Sequence, residues 1–185
     1  TALAVDMYGD GKTAAHPDDA GKFSSAVNSN AEERRVRFVA AKSLLENHPT
    51  VAKHETAAIG YCFGGGVVLN MAREGLDLKG VASFHGALGT NNPAQSGKVK
   101  AKILVLNGAD DVMAGPESVA GFKKEMDSAK VNYSFINYPG VKHSFTNPDA
   151  DKLAAQFNLP LAYNADADKA SWNELDKFLK TIFKK

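Results

Sequence analysis

Cys62 is the only cysteine among 185 residues, and its neighbours decide what it can do. Gly60-Tyr61-Cys62-Phe63-Gly64 follows an apolar run and leads into Gly65-Gly66-Val67-Val68-Leu69, which reads as the start of a helix. A G-x-C-x-G at such a junction is a thiol version of the G-x-S-x-G elbow, where the nucleophile is held in a strained backbone conformation above a sheet. Flanking glycines are expected because strand and helix backbones approach closely there. Cys62 would then stand exposed at a helix N-terminus, whose dipole and free amides favour the thiolate. The Phe63 N–H would point at a developing oxyanion. A buried cysteine among small residues at a strand end has the same local sequence, so the elbow alone does not separate a nucleophile from an apolar filler.

Two later segments add to it. Asn107-Gly108-Ala109-Asp110-Asp111 follows the apolar run that ends at Leu106, and Pro139-Gly140-Val141-Lys142-His143-Ser144-Phe145 follows the run that ends at Tyr138. Both would lie at the C-terminal edge of a parallel sheet, where ligands meet this architecture. Nucleophile, acid and histidine in that order, each just after a strand, is the chain order of the α/β-hydrolase triad. His143 would take the Cys62 proton, and an aspartate would fix the imidazole's tautomer and orientation. Asp110 and Asp111 could instead cap the helix near Pro116, and His143 could be an ordinary loop residue, but those readings leave the shared order unexplained.

The elements that must position these residues alternate along the chain. Buried strands are expected over residues 2–7, 56–61, 80–84, 102–106 and 133–138, and helices over 31–48, 64–73, 117–130 and 166–184. A polar, turn-rich loop is expected after Gly9-Asp10-Gly11, through His16-Pro17 to Asn30, which then caps the first helix. On that helix Val36, Val39, Ala40 and Leu44 form the apolar face, opposite Glu33, Arg34, Arg37 and Lys42. Uniformly apolar strands between amphipathic helices imply a mostly parallel central sheet with helices on both faces, an α/β architecture. No repeat or long linker divides residues 1–185, which read as a single domain.

Composition narrows the function. With 44% apolar and 23% charged residues the chain is globular, and 22 basic against 21 acidic side chains leave a net charge of +1. There is no global field to hold nucleic acid or an anionic membrane. No apolar run is long enough to span a bilayer, so a soluble, cytoplasmic protein is expected. His16, His48, His54 and His85 show no metal-ligand spacing, and neither metal nor cofactor is expected. The mixed charges from Glu32 to Arg37 read as a solvated helix face.

Over nearly its whole length the chain resembles the dienelactone hydrolase family, the cysteine-nucleophile branch of the α/β-hydrolases. The resemblance rests on Asp6-Met7-Tyr8-Gly9, Gly60-Tyr61-Cys62-Phe63-Gly64-Gly65, Ser83-Phe84-His85-Gly86 and His143-Ser144-Phe145. It implies the α/β-hydrolase fold and a Cys62-His143-Asp111 triad. The family's acid lies three residues after a glycine, which selects Asp111 over Asp110. It also implies cleavage of carboxylic esters or lactones through a thioester, with the Phe63 amide in the oxyanion hole. His85-Gly86 resembles a structural segment and is assigned no catalytic role.

The chain departs from the family in two places. The strands and loop that precede Leu3 in the family, and supply a second oxyanion donor, have no counterpart here, so a separate N-terminal segment is an expected partner. The positions resembling the family's two carboxylate-binding arginines are Asp10 and Asn147, which cannot form a bidentate charged pair. A neutral ester or lactone is therefore expected, with aromatic contacts from Phe63, Phe145 or Tyr8. Three other readings are an impaired fragment of such a hydrolase, a phosphate- or nucleotide-binding module built on Gly64-Gly65-Gly66, and a cysteine amidotransferase. The last wants a carboxylate two residues after the histidine, where Phe145 stands; the second lacks a Walker lysine.

Overall fold

The computed structural model describes residues 1–184. They fall into two compact units, Thr1–Thr56 and Ala57–Lys185.

The first unit carries two consecutive helices, α1 (Pro17–Ser29) and α2 (Ala31–Glu46). Asn30 caps α2 as expected, its Oδ1 accepting from the Glu33 N–H at 3.0 Å. The loop expected ahead of Asn30 is instead α1. Pro17 fills its first turn, His16 Nδ1 accepts from the Asp18 N–H at 3.2 Å, and Asp18 and Asp19 face the positive end of the dipole. Val27 is the one buried residue of α1, so the helix carries little apolar periodicity.

Residues 2–7 do not form the expected strand, and Leu3 and Val5 are exposed. The Asp6 carboxylate collects the N–H groups of Tyr8, Gly9 and Gly11, a local turn that competes with extended pairing. The helix α2 also turns a different face inward: Arg34 and Phe38 are buried, whereas Val36 and Leu44 are exposed. Arg34 Nη1 donates to the Asn28 carbonyl, and Arg37 Nη1 donates to the carbonyls of Met7 and Tyr8. These guanidinium groups satisfy carbonyls in the last turn of α1 and in the Met7-Tyr8 loop, so the stripe expected to be merely solvated is partly structural.

The second unit is a four-stranded parallel sheet in the order β1 (Ala57–Tyr61), β2 (Gly80–Phe84), β3 (Lys102–Gly108) and β4 (Tyr133–Tyr138). The four later expected strands are all present, with β3 running two residues further. Helices α3 (Phe63–Arg73), α4 (Pro116–Ser128) and α6 (Ala165–Ile182) match the expected segments, and α5 (Ala150–Phe157) is an addition. In register, Ala82 pairs with Leu104 and Phe84 with Leu106. These side chains share one face and form a core with Val141, Phe145, Ala167 and Leu175. The α6 helix lies on that face: a Cβ on Gly80 would meet Phe178 and Ile182 within 2.9 Å.

Residues of opposite parity meet α3, since a Cβ on Gly65 would approach Ser83 Oγ to 2.7 Å. Arg73 of α3 reaches Glu125 of α4 through two guanidinium bonds of 2.8 and 2.9 Å, holding the two helices side by side. Helices thus lie on both faces of the sheet, although Ile59 and Tyr61 of β1 stay exposed on the face that α6 covers at β2 and β3, and all four C-terminal strand ends open toward one edge. Among the described residues, no helix is long and apolar enough to cross a membrane.

Candidate active site

The elbow forms where β1 passes into α3. Cys62 has φ 50° and ψ −117°, a strained conformation for a residue with a side chain. It is fixed from both sides: its N–H donates to the Phe84 carbonyl at 3.0 Å, and its carbonyl accepts from the Gly66 N–H at 3.3 Å. The two flanking glycines have different duties. A Cβ on Gly60 would lie 2.1 Å from the Gly64 carbonyl oxygen, whereas a Cβ on Gly64 would meet nothing within 4 Å. The backbone of Gly64 does the crowding, and Gly65, pressed against Gly86, is the second position that excludes a side chain.

Cys62 is exposed at this turn, and its thiol faces the His143 ring, with Sγ 3.3 Å from Nε2. The other ring nitrogen, Nδ1, lies 2.8 Å from Asp111 Oδ2. Asp111 and His143 are both buried, whereas Asp110 is exposed. Asp111 also does what the alternative reading asked of it. Its Oδ1 accepts from the Met113 N–H at 2.8 Å, capping a 3-10 turn over Val112–Ala114. Capping and facing His143 use different oxygens, so the cap itself orients the carboxylate.

His143 is aimed by backbone pairing as well as by Asp111. Its carbonyl accepts from the Ala162 N–H at 3.2 Å, and the Phe145 carbonyl accepts from the Asn164 N–H at 3.1 Å. Ser144 takes φ 61°, which turns His143 toward Cys62 while Phe145 is driven wholly into the core. Phe145 is therefore not a substrate contact, contrary to the expectation; it anchors the loop.

The electrostatics follow from this geometry. Burial pushes the Cys62 thiol up, but the His143 hydrogen bond and charge and the Phe63 N–H together bring it below its ordinary value, against the opposing charge of Asp111. Burial pulls His143 down, and the contacts with Asp111 and Cys62 overcome this and raise it to about 9. Burial likewise raises Asp111, yet His143 and the Met113 and Ala114 amides hold it below the usual carboxylate value. All three shifts favour a thiolate–imidazolium pair backed by a carboxylate.

A cavity of about 510 Å³ opens beside Cys62. Its wall includes Tyr61, His85, Thr146, Asn147, Asp168 and Trp172, and among the described lining residues there is no lysine or arginine. The aromatics here are Tyr61 and Trp172, neither of which carries a local sequence signature. His85, which the family resemblance marks as structural, also borders this cavity. It is 3% exposed, its ring meets that of His143 edge-on at 4.9 Å between centroids, and its Nε2 lies 2.9 Å from Thr146 Oγ1.

Residues 1–183 match the dienelactone hydrolase family. The chain belongs to that family. Its fold is that of the α/β-hydrolases, and the protein is a hydrolase. A dienelactone hydrolase-like promiscuous phosphotriesterase from metagenomic libraries is similar to it with a TM-score of 0.86 and 31% identity, over 97% of this chain and 73% of that one. An uncharacterised protein of Caenorhabditis elegans is 32% identical over 152 residues, 80% of this chain and 92% of its own length. A Synechocystis protein with the provisional name carboxymethylenebutenolidase is 26% identical over 144 residues, covering 74% of this chain and 54% of that protein.

Proposed function

We propose that this dienelactone hydrolase family member cleaves uncharged carboxylic esters or lactones, with Cys62 as nucleophile, His143 as acid and base, and Asp111 as its orienting carboxylate. The observation that carries the reading is the placement of both His143 ring nitrogens, Nε2 at 3.3 Å from Cys62 Sγ and Nδ1 at 2.8 Å from Asp111.

The Cys62 thiolate attacks the acyl carbon, and the carbonyl oxygen gathers negative charge beside the Phe63 N–H. Collapse breaks the acyl–oxygen bond; the proton on His143 Nε2 passes to the departing alkoxide, leaving a thioester on Cys62 and a neutral imidazole. Acylation removes the thiolate, one of the groups that raise His143. The imidazole is thereby less basic than in the free enzyme and can stay neutral in the acyl-enzyme, as the second half-reaction requires. It takes a proton from water as the water oxygen attacks the thioester. Collapse then expels the Cys62 thiolate, releases the acid and restores the ion pair.

The cavity wall supports an uncharged substrate. Asp168 would repel a carboxylate, and Asn147, at a position that resembles one of the family's carboxylate-binding arginines, offers no positive charge. The solved relative named a phosphotriesterase takes its name from a substrate class that is also uncharged. Hydrolysis of a neutral aryl acetate by wild type, Cys62→Ala and His143→Ala tests the assignment. Loss of turnover by at least about 1,000-fold in the cysteine variant is expected, because without it no covalent route remains. Full activity in Cys62→Ala would remove the thiol from the mechanism.

A further inference from the structure

The cavity beside Cys62 carries a charge that the triad does not use. Asp168 is the one carboxylate among its described lining residues, and no lysine or arginine stands with it. It is half-buried in the first turn of α6, where its Oδ2 accepts from the Tyr163 hydroxyl at 3.2 Å. Among the described residues no cation pairs with it. A carboxylate partly withdrawn from water and left without a counter-charge attracts one. Its field reaches across the cavity, since burial and then the Asp168 charge raise the Tyr61 hydroxyl of β1 above its ordinary value.

Two aromatic rings share this wall. Trp172 lies one turn along α6 from Asp168, on the same helix face, and is 60% exposed. The Tyr61 ring is held by stacking on Phe84, at 4.5 Å between centroids. A carboxylate beside aromatic rings is the chemistry that takes an ammonium group, the carboxylate through charge and the ring faces through their quadrupole.

The triad fixes which half of an ester enters the cavity. The acyl oxygen goes to the Phe63 N–H, and Phe63 is not among the described lining residues. The leaving oxygen must reach His143 Nε2 to collect its proton, and Ser144, Thr146, Asn147 and Pro148 continue the wall from His143. We infer that this cavity receives the leaving alcohol and that Asp168, aided by Trp172, selects alcohols carrying an ammonium group, extending the range of the Cys62 hydrolase from neutral esters to cationic ones. The inference rests on that hydrolase reading, and its test keeps the two apart.

Hydrolysis of para-trimethylammoniophenyl, para-tert-butylphenyl and para-carboxyphenyl acetate is compared in wild type, Asp168→Asn, Trp172→Ala and Asp166→Asn. All three esters leave the same acetyl group on Cys62, so discrimination is confined to acylation and is read in kcat/KM. Asparagine keeps the shape of Asp168 and an oxygen for Tyr163. Each charged ester is expressed as a ratio to the neutral one, which absorbs general damage to the cavity, and comparing variants cancels leaving-group reactivity.

The cationic-to-neutral ratio is expected to fall about 10-fold in Asp168→Asn and about threefold in Trp172→Ala, while the anionic-to-neutral ratio rises about threefold in Asp168→Asn. Asp166 is exposed two residues earlier on α6, and Asp166→Asn should hold both ratios within about twofold. Unchanged ratios in Asp168→Asn would overturn the inference, as would an equal fall in Asp166→Asn, which marks a general field and not a subsite. With the charge moved to the acyl part, in phenyl trimethylammoniobutanoate, Asp168→Asn should change kcat/KM no more than for the neutral ester; a 10-fold fall there would put the acyl group in this cavity instead.

Acetylation of wild-type Cys62 by the neutral ester, followed by intact mass, separates the two readings. If Cys62 takes no acetyl group, the underlying hydrolase reading fails; if it does and the ratios stay flat, only the cation subsite is lost. Should Asp168→Asn not fold, wild type alone carries the test. Its cationic-to-neutral ratio should fall severalfold between low and high ionic strength, and a ratio indifferent to salt would contradict an Asp168 charge effect.

Discussion

A Cβ on Gly60 would sit 2.1 Å from the carbonyl oxygen of Gly64, a separation that no relaxed structure tolerates. The oxygen belongs to the first turn of α3, so Gly60 is what allows the helix to start directly behind the nucleophile. Gly60→Ala is expected to destabilise the fold by about 3 kcal/mol or more, since backbone and not a flexible side chain would have to move. Gly64→Ala, whose Cβ meets nothing within 4 Å, is expected to leave the melting temperature unchanged or raise it, alanine being better than glycine in a helix by about 1 kcal/mol. Thermal melts of the two variants check the contrast, and equal losses would contradict it.

The pH dependence of kcat/KM follows from the two partners of His143. Activity is expected to rise below the ordinary thiol range, as Cys62 loses its proton early, and to fall as pH passes about 9, where the imidazolium that protonates the leaving group is lost. Asp111→Asn removes one cause of the raised His143, so its alkaline limb should move to lower pH. A neutral amide also favours the wrong tautomer, and kcat should drop on the order of 100-fold to 10,000-fold. Unchanged position of that limb in Asp111→Asn would contradict the role given to the carboxylate.

Much of this site was legible because it sits at strand ends. The elbow glycines, the acid three residues after Gly108 and the histidine in a small-residue loop each carry a local signature, and the apolar strands between them fix which edge they share. What stayed hidden depends on contacts distant in sequence. Asp111 reads as a cap or as a triad acid, and only the fold shows that its two oxygens do both. The partners of His85 come from residue 146, and the Ala162 and Asn164 amides that hold the His143 loop come from a segment with no periodic pattern. Helix α1 and the inward guanidinium groups of α2 escaped for a related reason: apolar periodicity is a weak guide where polar side chains satisfy loop backbone.

Stability in mild acid provides an independent check on His85. Its folded value of about 4 lies below the ordinary histidine value of about 6.5. Between these values the unfolded chain binds the extra proton, so stability is fully present above about 6.5 and is lost as pH falls toward 4. The difference corresponds to about 3 kcal/mol. His85→Phe, which cannot protonate, should show a shallower decline in unfolding free energy between pH 6.5 and 4 than wild type; parallel curves would mean that His85 is already protonated, or is solvated, in the folded state.

The most direct measurement is time-resolved intact mass of the protein mixed with a neutral activated aryl ester, with wild type, Cys62→Ser and His143→Ala compared and the adduct located by peptide mapping. An acyl group that appears on Cys62, decays as the acid is released, and forms and clears more slowly in His143→Ala is the result expected of the Cys62–His143 pair. Ester turnover with no acyl group passing through Cys62, or an adduct whose formation and decay ignore His143, would contradict the mechanism.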